Sequence, residues 1–226
     1  MAHWLLIHGA ASSRLTWTRQ LPVLPYRTRV DLPDWPTVEP DRLLDRWADW
    51  CLTQLPEPSV IMGHSMGGAI AQLMALKNPQ QVLGLVLVGT GPRLPVSPQL
   101  IDQLRTTPHE ALANITRWSL KRQPDPVLLE KSLQQAQKVD PERALREFLV
   151  CQTFDVRDRL KTLHVPIVVI AGAEDRMTPA ALTEEFRTIW PDIPYYVVPE
   201  AGHMMMLEAP EAFNQILTRI KDQYRW

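Results

Sequence analysis

Cysteine is nearly absent from this chain: only Cys51 and Cys151 occur, far apart and without C-x-x-C spacing, which excludes a disulfide framework and offers no zinc site. An excess of charge of one sign is also lacking. The 24 Lys plus Arg stand against 25 Asp plus Glu, for a net charge of -1, whereas a nucleic-acid binder carries a basic surplus. No stretch approaches the roughly 18 apolar residues that a membrane span needs. The N-terminal run Trp4-Leu-Leu-Ile7 is too short for a signal-peptide core and has no basic leader. A soluble, cytoplasmic protein is expected. Glycine is sparse at 9 residues and proline abundant at 21, a balance that restricts the unfolded chain. With 226 residues, 45% apolar and 22% charged, the composition is that of one sizeable globular domain.

What is present is an alternation of short apolar runs with longer segments of helical period, the pattern of a parallel sheet covered on both faces by helices. Strands are expected at Trp4 to Ile7, Thr28 to Leu32, Val60 to Met62, Leu83 to Val88, Pro166 to Ala171 and Tyr195 to Val198. Helices are expected at Asp41 to Leu55, Met66 to Leu76 and Pro210 to Tyr224, where apolar residues recur at the spacing of one helix face or fill the helix almost all round. From about Arg93 to Asp158 the alternation stops. This stretch is helical, polar and punctuated by Pro95, Pro98, Pro108, Pro124, Pro126 and Pro141, and it reads as a helical insertion. The expected division is a core of residues 1–92 and 159–226 with a helical cap of 93–158. Counted to Lys161, the insertion carries 12 Lys and Arg against nine Asp and Glu, a surplus of three that suits either a solvated surface or an acidic partner.

The sharpest chemical signal is Gly63-His64-Ser65-Met66-Gly67, a G-x-S-x-G that follows one expected strand and opens one expected helix. A nucleophile on so sharp a turn is held in a strained conformation with its hydroxyl presented outward, and the flanking glycines leave room for the backbone. Serine is a poor nucleophile near neutral pH and needs a base, which in turn needs a group to fix its tautomer. Later strands end at Gly172-Ala-Glu-Asp175-Arg-Met-Thr-Pro179 and at Pro199-Glu-Ala-Gly202-His203. Ligands of parallel sheets bind outside the carboxyl ends of the strands, so Ser65, Asp175 and His203 can converge there, with Ser65 as nucleophile, His203 as general base and Asp175 as its orienting carboxylate.

These motifs closely resemble those of the α/β-hydrolase superfamily, and the resemblance runs over nearly the whole chain outside the insertion. It implies a mostly parallel sheet of about six strands with helices on both faces. In that family a His-Gly pair ends an early strand, as His8-Gly9 does here, and the next residue lends its N–H to an oxyanion hole. By resemblance the two donors are the amides of Ala10 and Met66. The family's G-x-x-D-x-x-x-P selects Asp175 over Glu174, Asp31-Leu-Pro is similar to its D-L-P turn, and Gly202-His203 with Glu208 and Pro210 resembles its histidine loop. Two departures stand out: the usual N-terminal hairpin has no counterpart before Trp4, and Asp34-Trp35-Pro36 replaces a glycine-rich loop.

Around this site His64, Ala11, Met177 and Met204 are candidate pocket residues, together with Trp17 and Trp118 by location. His8 is a loop or pocket-wall residue, and His3, His109 and His164 are structural or solvated. The resulting expectation is an esterase-like serine hydrolase that cleaves small carboxylic esters through an acyl-enzyme on Ser65, without metal or organic cofactor. Ala10 and a compact cap suggest a modest acyl group. The same three residues also serve relatives that hydrolyse carbon-carbon bonds or lactones, act on acyl chains bound to acyl carrier protein, or eliminate pyruvate in the menaquinone pathway. A noncatalytic small-ligand receptor on the same fold is the alternative from another class.

Overall fold

The computed structural model describes residues 1–226 in full. β1 (His3–Ile7), β2 (Arg27–Val30), α1 (Pro40–Thr53), β3 (Ser59–His64), α2 (Met66–Lys77) and β4 (Val82–Val88) form the first half in that order. Then come α3 (Pro98–Thr106), α4 (Pro108–Ser119), α5 (Pro126–Ala136), α6 (Pro141–Thr153) and the single turn α7 (Arg157–Leu160). The chain closes with β5 (Ile167–Gly172), α8 (Ala180–Thr183), α9 (Glu185–Ile189), β6 (Tyr195–Val198), α10 (Met205–Glu208) and α11 (Pro210–Tyr224). The six strands make one wholly parallel sheet in the order β2-β1-β3-β4-β5-β6.

The continuous apolar runs have the physical cause expected of a doubly covered sheet, because the pleat sends successive side chains to opposite faces and both faces are buried. Leu5, Ile7, Ile61, Leu85, Leu87 and Val169 enter one core with α1 and α2. Trp4, Leu6, Met62, Val86, Val88 and Ile170 enter the other, under α11. β2, with the sequence Arg-Thr-Arg-Val, lies at the sheet edge, where only one side is paired and polar residues discourage further strand addition. Proline abundance also acquires a meaning. Pro40, Pro98, Pro108, Pro126, Pro141 and Pro210 each stand in the first turn of a helix, where the missing N–H would have no partner in any case.

The chain leaves the sheet after β4 and rejoins it at β5. The two ends of the excursion meet at an antiparallel bridge between Arg93 and Asp155, flanked by Leu94 N–H to Phe154 carbonyl at 3.2 Å and Val156 N–H to Pro92 carbonyl at 2.9 Å. Between these points α3, α4 and α6 bury a small core of their own around Leu104, Leu112 and Phe148. No helix of the chain is long and apolar enough to cross a membrane. Both cysteines are buried and free.

Strand order changes direction between β1 and β3, since the chain moves from β1 to one side and then crosses back to the other. A crevice at the carboxyl ends follows at that point. His8, the first residue past β1, is fully buried there. Its Nδ1–H donates to the Gly9 carbonyl at 2.8 Å and its Nε2 accepts the Leu32 N–H at 3.3 Å, so the neutral ring ties the end of β1 to the loop after β2. Burial lowers its pKa to about 4, and a second proton would set Nε2–H against the Leu32 N–H. A histidine held neutral in the fold contributes stability that is present above its unfolded pKa of 6.5 and lost as pH falls toward 4. Between pH 7 and pH 5 that loss is about 2 kcal/mol. Urea unfolding at the two pH values should show a decline for the native protein that is smaller by about this amount in His8→Gln; equal declines would refute the assignment.

Candidate active site

The turn after β3 is dictated by close backbone approach. A Cβ at Gly63 would overlap the backbone of Gly67 and Gly68, and one at Gly67 would overlap the carbonyls of Ile7 and His8, so only glycine lets α2 start this near β1 and β3. Between them Ser65 adopts φ 53° and ψ -119°, a conformation that costs a non-glycine residue on the order of 1–3 kcal/mol. It is held by its own N–H on the Val88 carbonyl at 2.9 Å and by its carbonyl, which accepts the Gly68 N–H at 2.8 Å. The first amides of α2, Met66 included, have no acceptor within the helix, and the positive end of the helix dipole lies with them.

Two neighbouring strand ends supply the other groups. After β5, Asp175 is buried, and its Oδ1 accepts the N–H groups of Met177 and Thr178, both at 2.9 Å. Its Oδ2 accepts the Thr178 hydroxyl at 2.8 Å and His203 Nδ1–H at 2.8 Å. Burial pushes the carboxyl up, but the charge and hydrogen bond of His203 and the donors of Thr178 outweigh it and hold Asp175 below the ordinary carboxylate range. His203, after β6, is thereby fixed with Nδ1 committed to Asp175. The adjacent Glu174 points elsewhere, accepting the Arg122 N–H at 3.1 Å. Gly89, at the end of β4 with φ 52°, makes room for the pair: a Cβ there would lie 3.2 Å from His203 Nδ1 and 3.3 Å from Asp175 Oδ2.

His64 completes the inner wall. Its ring lies 4.4 Å from that of His203, centroid to centroid, and its Nε2–H donates to the His203 carbonyl at 3.0 Å. Burial, reinforced by the neighbouring His203, lowers its pKa well below the ordinary value, so it is a neutral donor. On the opposite side the His8 hydrogen bond fixes the Gly9 carbonyl, and because all peptides are trans, the Ala10 N–H of the same peptide unit is aimed away from the His8 ring.

Ser65, His203 and Ala10 line one cavity of about 780 Å³ between the strand ends and α3 to α6. Ala11, His64, Met177 and Met204 line it as well, and Trp118, 42% exposed, stands at its mouth. Trp17 does not belong to the lining. It is fully buried in the core under α11, edge-on to His64 at 6.4 Å, because the short 3-10 helix Arg14–Gln20 turns its apolar side toward the sheet. His8 is likewise a buried tie and no part of the wall. Met205 and Met206 are core residues, leaving Met204 alone of the three on the cavity. Thr178, Gly89 and Glu147 escaped the sequence reading. Thr178 carries a local signal, an Asp-x-x-Thr spacing that lets one turn close on a carboxylate, whereas Gly89 and Glu147 gain their meaning only from distant partners.

No cluster of three or more His, Cys, Asp or Glu is placed to hold a metal ion. In proton NMR the native protein should show a far-downfield imidazole N–H from His203, absent in Asp175→Ala and in Gly89→Ala. The latter should also lose about 1–2 kcal/mol in urea unfolding from its left-handed backbone alone. A retained resonance in Gly89→Ala would contradict the packing described.

The model of the alpha/beta hydrolase family matches residues 4–216. The chain is similar to the pimeloyl-[acyl-carrier protein] methyl ester esterase of Aromatoleum aromaticum, at 26% identity over 235 residues covering 92% of this chain and 93% of that protein. A solved thermophilic esterase superimposes with TM-score 0.83 at 29% identity, over 99% of this chain and 91% of that one. The enol-lactonase of Burkholderia xenovorans LB400 shares the fold, with TM-score 0.82 at 20% identity over 96% of this chain and 90% of that one.

Proposed function

The chain belongs to the alpha/beta hydrolase family and is a hydrolytic enzyme, and within that family we propose that it cleaves carboxylic esters through an acyl-enzyme on Ser65. The observation that carries this reading is the Asp175 to His203 hydrogen bond at 2.8 Å, in a cavity onto which the strained Ser65 also opens. Ser65 Oγ attacks the ester carbonyl as its proton passes to His203 Nε2. The carbonyl oxygen takes up negative charge and is held by the Ala10 and Met66 N–H groups, each such donor being worth roughly 10² to 10³ in rate. Collapse expels the alcohol, which leaves with the proton from His203. Water then attacks the acyl-Ser65, giving its proton to His203 in turn, and the acid departs as Ser65 Oγ is reprotonated. Asp175 keeps its charge throughout and stabilises the imidazolium. Residues 93–158 serve as the cap that roofs the acyl site.

A fluorophosphonate probe should label the native protein and not Ser65→Ala. Against p-nitrophenyl butyrate, His203→Ala should lose on the order of 10⁶ and Asp175→Asn on the order of 10⁴ in kcat. Folded native protein that neither labels nor turns over esters would instead support a ligand receptor. The modest acyl group suggested by Ala10 gives way to a longer one, since a cavity of about 780 Å³ is in the range that encloses drug-sized ligands. Along a p-nitrophenyl series from acetate to octanoate, kcat/KM should rise by up to about fourfold per methylene buried, following about 0.8 kcal/mol for each.

A finer reading, in which the substrate is an acyl ester carried on acyl carrier protein, is supported by the similarity to pimeloyl-[acyl-carrier protein] methyl ester esterases and by exposed Lys131 and Lys138 on the cavity's rim. An acidic carrier would be steered by them. Lys131→Glu with Lys138→Glu should lower kcat/KM about tenfold at low salt for a carrier-linked methyl ester and leave p-nitrophenyl butyrate unchanged; an equal effect on both substrates would defeat it.

A further inference from the structure

Glu147 is a carboxylate with no solvent exposure, on α6, and the chemistry described above does not use it. Burying a carboxylate is unfavourable unless donors surround it. Its burial raises its pKa despite the partners it has. Those partners are specific: Oε2 accepts the backbone N–H of Ala11 at 2.6 Å, and Oε1 accepts Nε–H of Arg143, one turn earlier on α6, at 2.8 Å. Ala11 has φ 52°, a left-handed conformation that alanine adopts only under constraint. Beside it, Arg146 donates to Asp34 Oδ1 at 2.7 Å, so α6 is seated on the loops after both β1 and β2.

We infer that Glu147 is a positioning residue of the oxyanion site, a carboxylate in the cap that holds the Gly9-Ala10-Ala11 loop in the shape that presents the Ala10 N–H to the reacting carbonyl oxygen. The inference rests on the acyl-transfer reading above. The geometry behind it is a two-point clamp. His8 fixes the peptide unit that contains the Ala10 N–H, and Glu147 fixes the next unit through Ala11, so the Ala10 residue between them has little freedom to rotate its donor away. The second clamp point belongs to the cap and the first to the core. A cap that lifts carries Glu147 with it, releases Ala11 from its left-handed turn, and slackens the donor. Oxyanion stabilisation is therefore complete only while α6 is seated, which links roofing of the substrate to competence of the site.

The test uses the full chain in four forms: native, Glu147→Ala, Glu147→Gln and Leu104→Ala. Leu104 is buried in the core of α3, α4 and α6 and does not line the cavity, so it reports loss of cap stability alone. Glu147→Ala should lower kcat on p-nitrophenyl butyrate about 10- to 100-fold, with KM within threefold, and should slow fluorophosphonate labelling of Ser65 by a similar factor, since small displacements of a catalytic group can cost that much. Glu147→Gln keeps a carbonyl for the Ala11 N–H and should retain kcat within about fivefold. Leu104→Ala should lower the melting temperature without lowering kcat. In protein labelled with ¹⁵N-alanine, the Ala11 amide proton should lie far downfield and move upfield in Glu147→Ala. Native kcat in Glu147→Ala, or a Gln variant as impaired as the Ala variant, would overturn the inference while labelling of native Ser65 still upheld the hydrolase reading; no labelling of native protein would overturn both.

Discussion

How near α2 can come to the sheet is the constraint from which the site is built. Gly63 and Gly67 let the helix backbone pack directly on the ends of β1 and β3, and the connecting residue has no choice but the left-handed turn that Ser65 adopts. That turn does two things at once. It lifts the hydroxyl out of the sheet, and it starts a helix whose unpaired amides and positive end face the same space. An outward-facing hydroxyl and a set of unpaired amides thus arise from one steric fact. The energetic cost of the turn is spread over a core in which α2 is buried along nearly its whole length.

Around that fixed point the remaining groups are placed by strand ends. β4 contributes emptiness, in the form of Gly89, while β5 and β6 contribute Asp175 and His203. The carboxylate is saturated with donors, two amides, a hydroxyl and the imidazole, so it can stay charged in a buried position. Two further histidines near it work in the opposite manner. His8 and His64 are buried and neutral, and each uses a ring N–H to hold a backbone carbonyl, that of Gly9 in one case and of His203 in the other. The three imidazoles thereby divide into two kinds, a pair of neutral ties to backbone carbonyls and one ring paired with a carboxylate.

The insertion between β4 and β5 is more than a roof. Its neck closes at Arg93 and Asp155, its helices bury their own apolar cluster, and its carboxylate Glu147 reaches down to the loop after β1. On the far side a core carboxylate reaches up, Glu208 accepting the Gly202 N–H at 2.9 Å and the Lys121 N–H at 2.7 Å. The loops after β1 and β6 are therefore stitched to the insertion by buried or half-buried carboxylates, a different device from the apolar packing that holds the sheet together.

Much of this was determined by the sequence alone, because the signals are local. Burial on both faces makes Leu85 to Val88 and Ile167 to Ala171 continuous apolar runs, helical spacing marks Asp41 to Leu55, and a serine between glycines after a strand marks a sharp strand-to-helix turn. The polar β2 was legible only faintly, since an edge strand needs one buried face and shows little pattern. Trp17 was misplaced because a short 3-10 helix has no clear periodicity, so which way its indole turns is set by the sheet it lands on. Gly89 and Glu147 lay beyond reading for the same reason: the value of a missing Cβ or a buried carboxylate depends on partners 114 and 136 residues away, such as His203 and Ala11. Local backbone chemistry was written in the order of residues, while the pairing of distant groups awaited the close-packed fold that brings them into contact.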